Sequence, residues 1–173
     1  IREDHCFADY HDLIACPDVD VIDISTSNNA HFEVAKAAIE AGKPFCLEKP
    51  VTLTAEEADI LAKAAQERGV PNMVCFSYRF KAAARYAKEL VEQGMLGDIY
   101  HVYMQYLQGG GGPSYDLPRS WRYQKELTGT GALGDLGCHA LDLVSFVTGK
   151  NYRKAVGHVD TYVTQRRLEE GEG

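Results

Sequence analysis

The stretch Val19-Asp20-Val21-Ile22-Asp23-Ile24-Ser25 decides the class of fold. Its β-branched density reads as a strand, and the chain after it places Val34, Ala35, Ala38 and Ile39 at helical spacing up to Gly42. Strand, loop and helix are thus set down in order. Phe45-Cys46-Leu47-Glu48 reads as a second strand, and Thr54 with Glu57 forms the T-x-x-E capping box of a helix that ends near Gly69. A third strand is expected over residues 73–77. Strands alternating with helices of about 10 to 15 residues imply right-handed crossovers and a parallel sheet, whose ligands lie beyond the carboxyl ends of the strands. Residues 25–31 and 48–50 are two such ends. The class is α/β.

After Arg79 the pattern changes. A helix is expected over residues 82–93, closed by Gly94, and residues 99–108 alternate as a half-exposed strand does. Gly109-Gly110-Gly111-Gly112-Pro113 is a loop; it lacks the G-K-[ST] ending and the strand-to-helix setting of a phosphate loop. Residues 131–147 read as a helix running up to Gly149. At about 100° per residue Asp135, His139 and Asp142 fall on one stripe, with Leu136, Ala140, Leu143, Val144 and Val147 on the apolar face. Residues 152–164 offer one more strand, and residues 166–173 are polar and read as a frayed end.

Composition narrows the function classes. The chain has 173 residues, 45% hydrophobic and 25% charged, which suits a folded domain or two unequal pieces. Net charge is -7, and the one basic pair, Arg166-Arg167, runs straight into Leu168-Glu169-Glu170, so nucleic acid is not an expected partner. No apolar run reaches the ~20 residues of a membrane span, and residues 1–30 lack the basic start and apolar stretch of a signal peptide. A cytoplasmic protein is expected. Cys6, Cys16, Cys46, Cys75 and Cys138 are odd in number with no C-x-x-C spacing, so they read as reduced thiols, the last three as small hydrophobes of apolar segments.

Two constellations carry chemistry. Asp135 and His139, four residues apart, can project into one cleft from successive turns, where imidazole suits the abstraction of an alcohol proton and the carboxylate can orient it or hold a hydroxyl. On spacing alone a surface Asp–His pair is the commoner arrangement. Lys49, between Glu48 and Pro50 at a strand end, can polarise an oxygen above the sheet, although a single lysine is more often solvated.

Phe45-Cys46-Leu47-Glu48-Lys49-Pro50 and Gly131-Ala132-Leu133-Gly134-Asp135-Leu136-Gly137-Cys138-His139-Ala140-Leu141-Asp142 together resemble the glucose–fructose oxidoreductase / inositol dehydrogenase (Gfo/Idh/MocA) family. The resemblance extends over nearly the whole chain. Residues 18–24 before Ser25-Thr26-Ser27-Asn28, then His31, Ser77-Tyr78-Arg79-Phe80 and Ser120-Trp121-Arg122, stand in the family's order. Ser27 departs from the usual Thr-Pro-Asn.

The resemblance implies a partial dinucleotide-binding (Rossmann-like) parallel sheet over residues 1–77, followed over residues 78–173 by the start of an α+β domain with an open, mainly antiparallel sheet. It implies Lys49, Asp135 and His139 as the catalytic set, with Thr26, Asn28, His31, Glu48, Lys49, Trp121 and Arg122 toward NAD or NADP. Tyr78, Arg79, Asp135 and His139 would face a small polyhydroxylated substrate. It further implies an NAD(P)-dependent sugar or polyol dehydrogenase, inositol dehydrogenase-like, moving hydride to or from a secondary alcohol, with the Lys49 amine pointing into the cleft of the His139 ring. A homo-oligomer through the second sheet is expected. No G-x-G-x-x-G stands between a strand and a helix ahead of residue 19, and the one match to that spacing, residues 129–134, follows no strand, so the chain reads as an interior fragment, inactive by itself.

Two other functions use the same residues. One is a non-catalytic relative with a sugar-binding or regulatory role, since fold does not prove turnover. The other is a metal-dependent enzyme with Asp135, His139 and Asp142 as ligands; against it stand the nearby Lys49 ammonium and the lack of a further His at ligand spacing, so no metal is expected.

Overall fold

The computed structural model describes residues 6–168, which form two compact units. One comprises the chain up to Cys75 together with Glu126–Gly129; the other comprises Phe76–Lys125 and the chain from Thr130 onward.

In the first unit helix α1 (Tyr10–Ala15) precedes β1 (Ile22–Ile24), α2 (His31–Glu40), β2 (Phe45–Leu47), α3 (Ala55–Arg68) and β3 (Asn72–Val74). The strands are parallel in the order β1-β2-β3, with Ile22 beside Phe45 and Ile24 beside Leu47. Because side chains alternate across a strand, these four share one face, and all four are buried. Asp23, Cys46 and Met73 occupy the other face in register. Helix α2 buries His31, Val34, Ala35, Ala38 and Ile39, the i, i+3, i+4, i+7, i+8 stripe that a helix on a sheet requires. Leu61 and Ala65 of α3, one turn apart, complete the same core. The parallel α/β order expected from the sequence is present, with each strand shorter than the segment expected for it.

The capping box forms as read. Thr54 Oγ1 accepts from the Glu57 N–H at 3.2 Å, and the Thr54 N–H donates to Glu57 Oε2 at 3.2 Å. At the far end Gly69 sits at φ +64°, the left-handed conformation glycine adopts without strain. Thr54→Ala removes the acceptor and is expected to lower the stability of the first unit by about 1 kcal/mol, read as a shift of its denaturant midpoint; an unchanged midpoint would mean that the cap contributes nothing.

In the second unit a 3₁₀ turn (Ser77–Phe80) leads into α4 (Ala82–Glu92); later come a 3₁₀ turn (Trp121–Tyr123), the short α5 (Lys125–Thr128, only its first residue in this unit), a π-helical turn (Leu133–Gly137) and α6 (Cys138–Thr148). Helix α6 packs on α4 and on the Ser77–Phe80 turn. Among the described residues the buried hydrophobic side chains all belong to the first unit.

Two expectations are corrected here. Residues 99–108 and 152–164 form no strand ladder among the described residues: a strand is defined by its partner, and alternation shows only that a segment is extended and half exposed. The single α-helix expected over residues 131–147 is instead a π turn joined to α6. Gly131, Gly134 and Gly137, at three-residue spacing, weaken the α-helix in that stretch, and single π turns inside helices recur at functional sites. The expected frayed end lies, from residue 169 on, outside the described residues.

Candidate active site

The first unit supplies two loops beyond adjacent strand ends. After β1, Ser27 has φ -68°, close to the value proline would impose, so this turn is one that proline could also adopt. Thr26 is exposed and donates its hydroxyl to the Ser27 carbonyl at 3.3 Å, while Ser27 Oγ meets Asn29 Oδ1 at 2.8 Å. Asn28 is buried, and its Nδ2 donates to the Thr128 carbonyl at 3.3 Å. After β2, Glu48 and Lys49 are half-buried. Glu48 Oε2 accepts from the Lys49 N–H at 3.1 Å, and the Lys49–Pro50 peptide is cis.

His31 ties these loops together. Its ring is 0% exposed, with Nδ1 2.8 Å from the Pro50 carbonyl and Nε2 3.3 Å from the Thr26 carbonyl. Both neighbours are carbonyl oxygens, which accept, so each contact is a hydrogen bond when the facing ring nitrogen carries the proton. The ring lies between the loop after β1 and the loop that carries Lys49, the two loops that the resemblance turns toward a cofactor. The sequence held the signal: His31 lies three residues before Val34, on the buried stripe of α2.

In the second unit His139 is 8% exposed. The Tyr78 ring stacks on it at 4.4 Å with 19° between planes, and Phe76 meets it edge-on at 6.1 Å. Beyond Tyr78 runs a hydroxyl network: the Tyr78 and Tyr106 hydroxyls are hydrogen-bonded, and Gln108 Nε2 donates to the Tyr106 hydroxyl at 3.1 Å. The bond to Tyr78 raises the Tyr106 phenol above its ordinary range. Lys81 places its ammonium 3.9 Å from the centre of the Tyr78 ring. Asp135, in the π turn, is half-buried. Trp121 is half-buried, and Arg122 lies over its ring at 4.5 Å. Tyr106 and Gln108 were not among the expected site residues; within an alternating segment nothing marked their hydrogen-bonding ends.

Arg79 and Asp142 bond to each other. Arg79 Nε donates to Asp142 Oδ2 at 2.8 Å, and Arg79 Nη2 donates to the other carboxylate oxygen, a bidentate pair. Hydrogen bonding to Asp142 raises the Arg79 guanidinium above its ordinary range. The fork expected to face substrate is occupied by a carboxylate of the protein. The metal reading loses a ligand for the same reason, since both Asp142 oxygens hold Arg79. Among the described residues no three His, Cys, Asp or Glu side chains are grouped to bind a metal ion.

Comparison with known proteins fits both units. Residues 3–76 match the oxidoreductase family with an NAD-binding Rossmann fold, and residues 84–171 match the GFO/IDH/MocA C-terminal domain. The chain belongs to the Gfo/Idh/MocA oxidoreductase family. It is 36% identical over 164 residues to levoglucosan dehydrogenase of Pseudarthrobacter phenanthrenivorans, covering 95% of this chain and 42% of that protein. An oxidoreductase domain protein of Kribbella flavida superposes with a TM-score of 0.89 at 39% identity, over 94% of this chain and 44% of that one. A levoglucosan dehydrogenase in complex with NADH and levoglucosan superposes with a TM-score of 0.87 at 37% identity, over 95% and 44%. The chain therefore spans less than half the length of these relatives. No helix among the described residues is long and apolar enough to cross a membrane.

Proposed function

We propose that the protein oxidises a secondary alcohol of a sugar or cyclitol with NAD(H) as the hydride partner, the reverse reduction using the same groups. The observation that carries this is the buried His139 ring, held face-on by Tyr78 in a chain of an oxidoreductase family. His139 takes the hydroxyl proton; Lys49 stabilises charge growing on the alcohol oxygen, and Asp135 holds a neighbouring hydroxyl. These roles rest on the residue types and on the family's motif, with Tyr78 supplying a wall for the sugar.

The residues at the two strand ends suit the polar parts of a dinucleotide. The exposed Thr26 hydroxyl and the half-buried Glu48 carboxylate can bond ribose hydroxyls or a carboxamide, and Trp121 with Arg122 would lie toward the ring. Bound there, nicotinamide supplies the hydride chemistry, and the chain has only to position and polarise. NAD is the first cofactor to try, because the matching domain is described as NAD-binding and the levoglucosan dehydrogenase structure holds NADH.

A homo-oligomer belongs to the same proposal, on the exposed aromatic side chains of the extended segment: Tyr100 is 93% exposed and Tyr103 79%. So does a cytoplasmic setting, on cysteines with no paired spacing. The test is the absorbance of reduced nicotinamide when the gene product is given NAD with levoglucosan, inositols and simple hexoses. Reduction with at least one of them supports the proposal; none, with a protein shown to bind NAD, favours a sugar-binding or regulatory relative.

A further inference from the structure

We propose that Arg79 and Asp142 are positioning residues whose bidentate pair sets the stack of Tyr78 on His139, an inference that rests on the alcohol-oxidising role of His139 given above. The geometry is local and closed. Tyr78 and Arg79 are neighbours in the Ser77–Phe80 turn, which is fixed at its ends by the Arg79 N–H on the Phe76 carbonyl at 3.1 Å and the Lys81 N–H on the Tyr78 carbonyl at 3.2 Å. His139 and Asp142 are three residues apart in α6 and so lie on one face of that helix. The pair joins turn to helix one residue from Tyr78 and one helical turn from His139.

The surroundings hold the pair where it is. The Asp142 side chain is 9% exposed against 43% for Arg79, so the carboxylate is the buried partner and the guanidinium must come to it. Arg79 lies over Phe76 at 5.4 Å and over Phe146 at 5.6 Å, two rings that limit where the planar fork can go. Phe76 is also the ring that meets His139 edge-on. Arg79, Phe76, Tyr78 and His139 therefore form one packed set, and a fork that matches a carboxylate in two bonds fixes orientation as well as distance. An imidazole that must reach a substrate hydroxyl depends on that orientation. Misplacement of a reacting group by about 1 Å costs roughly 10²-fold in rate.

The test compares Asp142→Asn, Arg79→Lys and the reversed pair Arg79→Asp with Asp142→Arg by two readouts. One is the NMR position of the His139 ring protons in this chain, assigned by their loss in His139→Asn; stacked on Tyr78, they lie upfield of ordinary histidine. The other is NAD-linked turnover of the polyol that serves as substrate. Both single variants are expected to keep cooperative thermal unfolding, to lose the upfield displacement, and to fall about 10²-fold in kcat with the KM for NAD unchanged; the reversed pair recovers much of both. Arg79→Lys keeps the charge over the two phenyl rings and reads the same stack if Asp142→Asn fails to fold. An upfield displacement retained in a folded single variant would overturn the proposal, as would no recovery in a folded reversed pair. If wild type turns over no polyol, the alcohol-oxidising reading fails, and the NMR comparison still decides whether the pair sets the stack.

Discussion

His139→Ala is expected to lower kcat for polyol oxidation by about two to four orders of magnitude, the usual worth of a positioned general base, with the KM for NAD little changed. The size follows from what the ring is given to do. It is buried to 8% exposure, faced by Tyr78 at 4.4 Å and edged by Phe76 at 6.1 Å, so its orientation is set before substrate arrives. Alanine removes the base and also leaves a gap between the two aromatic rings. His139→Asn fills more of that gap and still cannot accept the proton at neutral pH, so it should be as slow as the alanine variant while unfolding closer to wild type. Steady-state kinetics with thermal melts separates the two effects; wild-type turnover in a folded His139→Asn protein would remove His139 from the chemistry.

Lys49→Ala comes next, with an expected loss of about 10²- to 10³-fold in kcat, the range for removing one preorganised group that stabilises a developing oxyanion. Lys49 lies two residues past the end of β2, half-buried, on a loop whose Pro50 carbonyl is 2.8 Å from the His31 ring, which also faces the loop after β1. Such a tether reduces reorganisation as charge develops. Calorimetry of NAD binding provides the control: affinity within a few-fold of wild type together with a collapsed kcat assigns the loss to the chemical step. A loss wholly in NAD affinity would instead make Lys49 a cofactor ligand.

How much the sequence disclosed depends on the distance over which each feature is encoded. The stripe Val34, Ala35, Ala38 and Ile39 and the Thr54–Glu57 box are local, and both elements appear where they were expected. Helix α1 is also local but only six residues long; its signal was Asp9, whose carboxylate accepts from the His11 N–H at 2.8 Å as an N-cap. That N-cap also draws the Asp9 carboxyl below its usual range. Pairing is not local. Residues 99–108 alternate as a strand does, yet no alternation names a partner. The Arg79–Asp142 bond spans 63 positions and the Tyr78–Tyr106 bond spans 28, and residue types alone give neither. The π turn escaped for a third reason: a fixed 100° step assumes the α period that the glycines of residues 131–137 relax. The proposed triple of Lys49, Asp135 and His139 comes from matching the E-K-P and D-x-x-x-H motifs together to one family; spacing by itself favoured solvent for each.

The central claim is that Lys49 and His139 act on the same hydroxyl. A double-mutant cycle on kcat tests it most directly, using Lys49→Ala, His139→Asn and their combination in the active gene product with a single polyol and saturating NAD. Groups that work as one unit give losses far short of multiplicative. The account predicts that the double variant falls no more than about tenfold below the slower single variant. Losses that multiply in full would show that the two residues serve separate steps and would contradict a shared site.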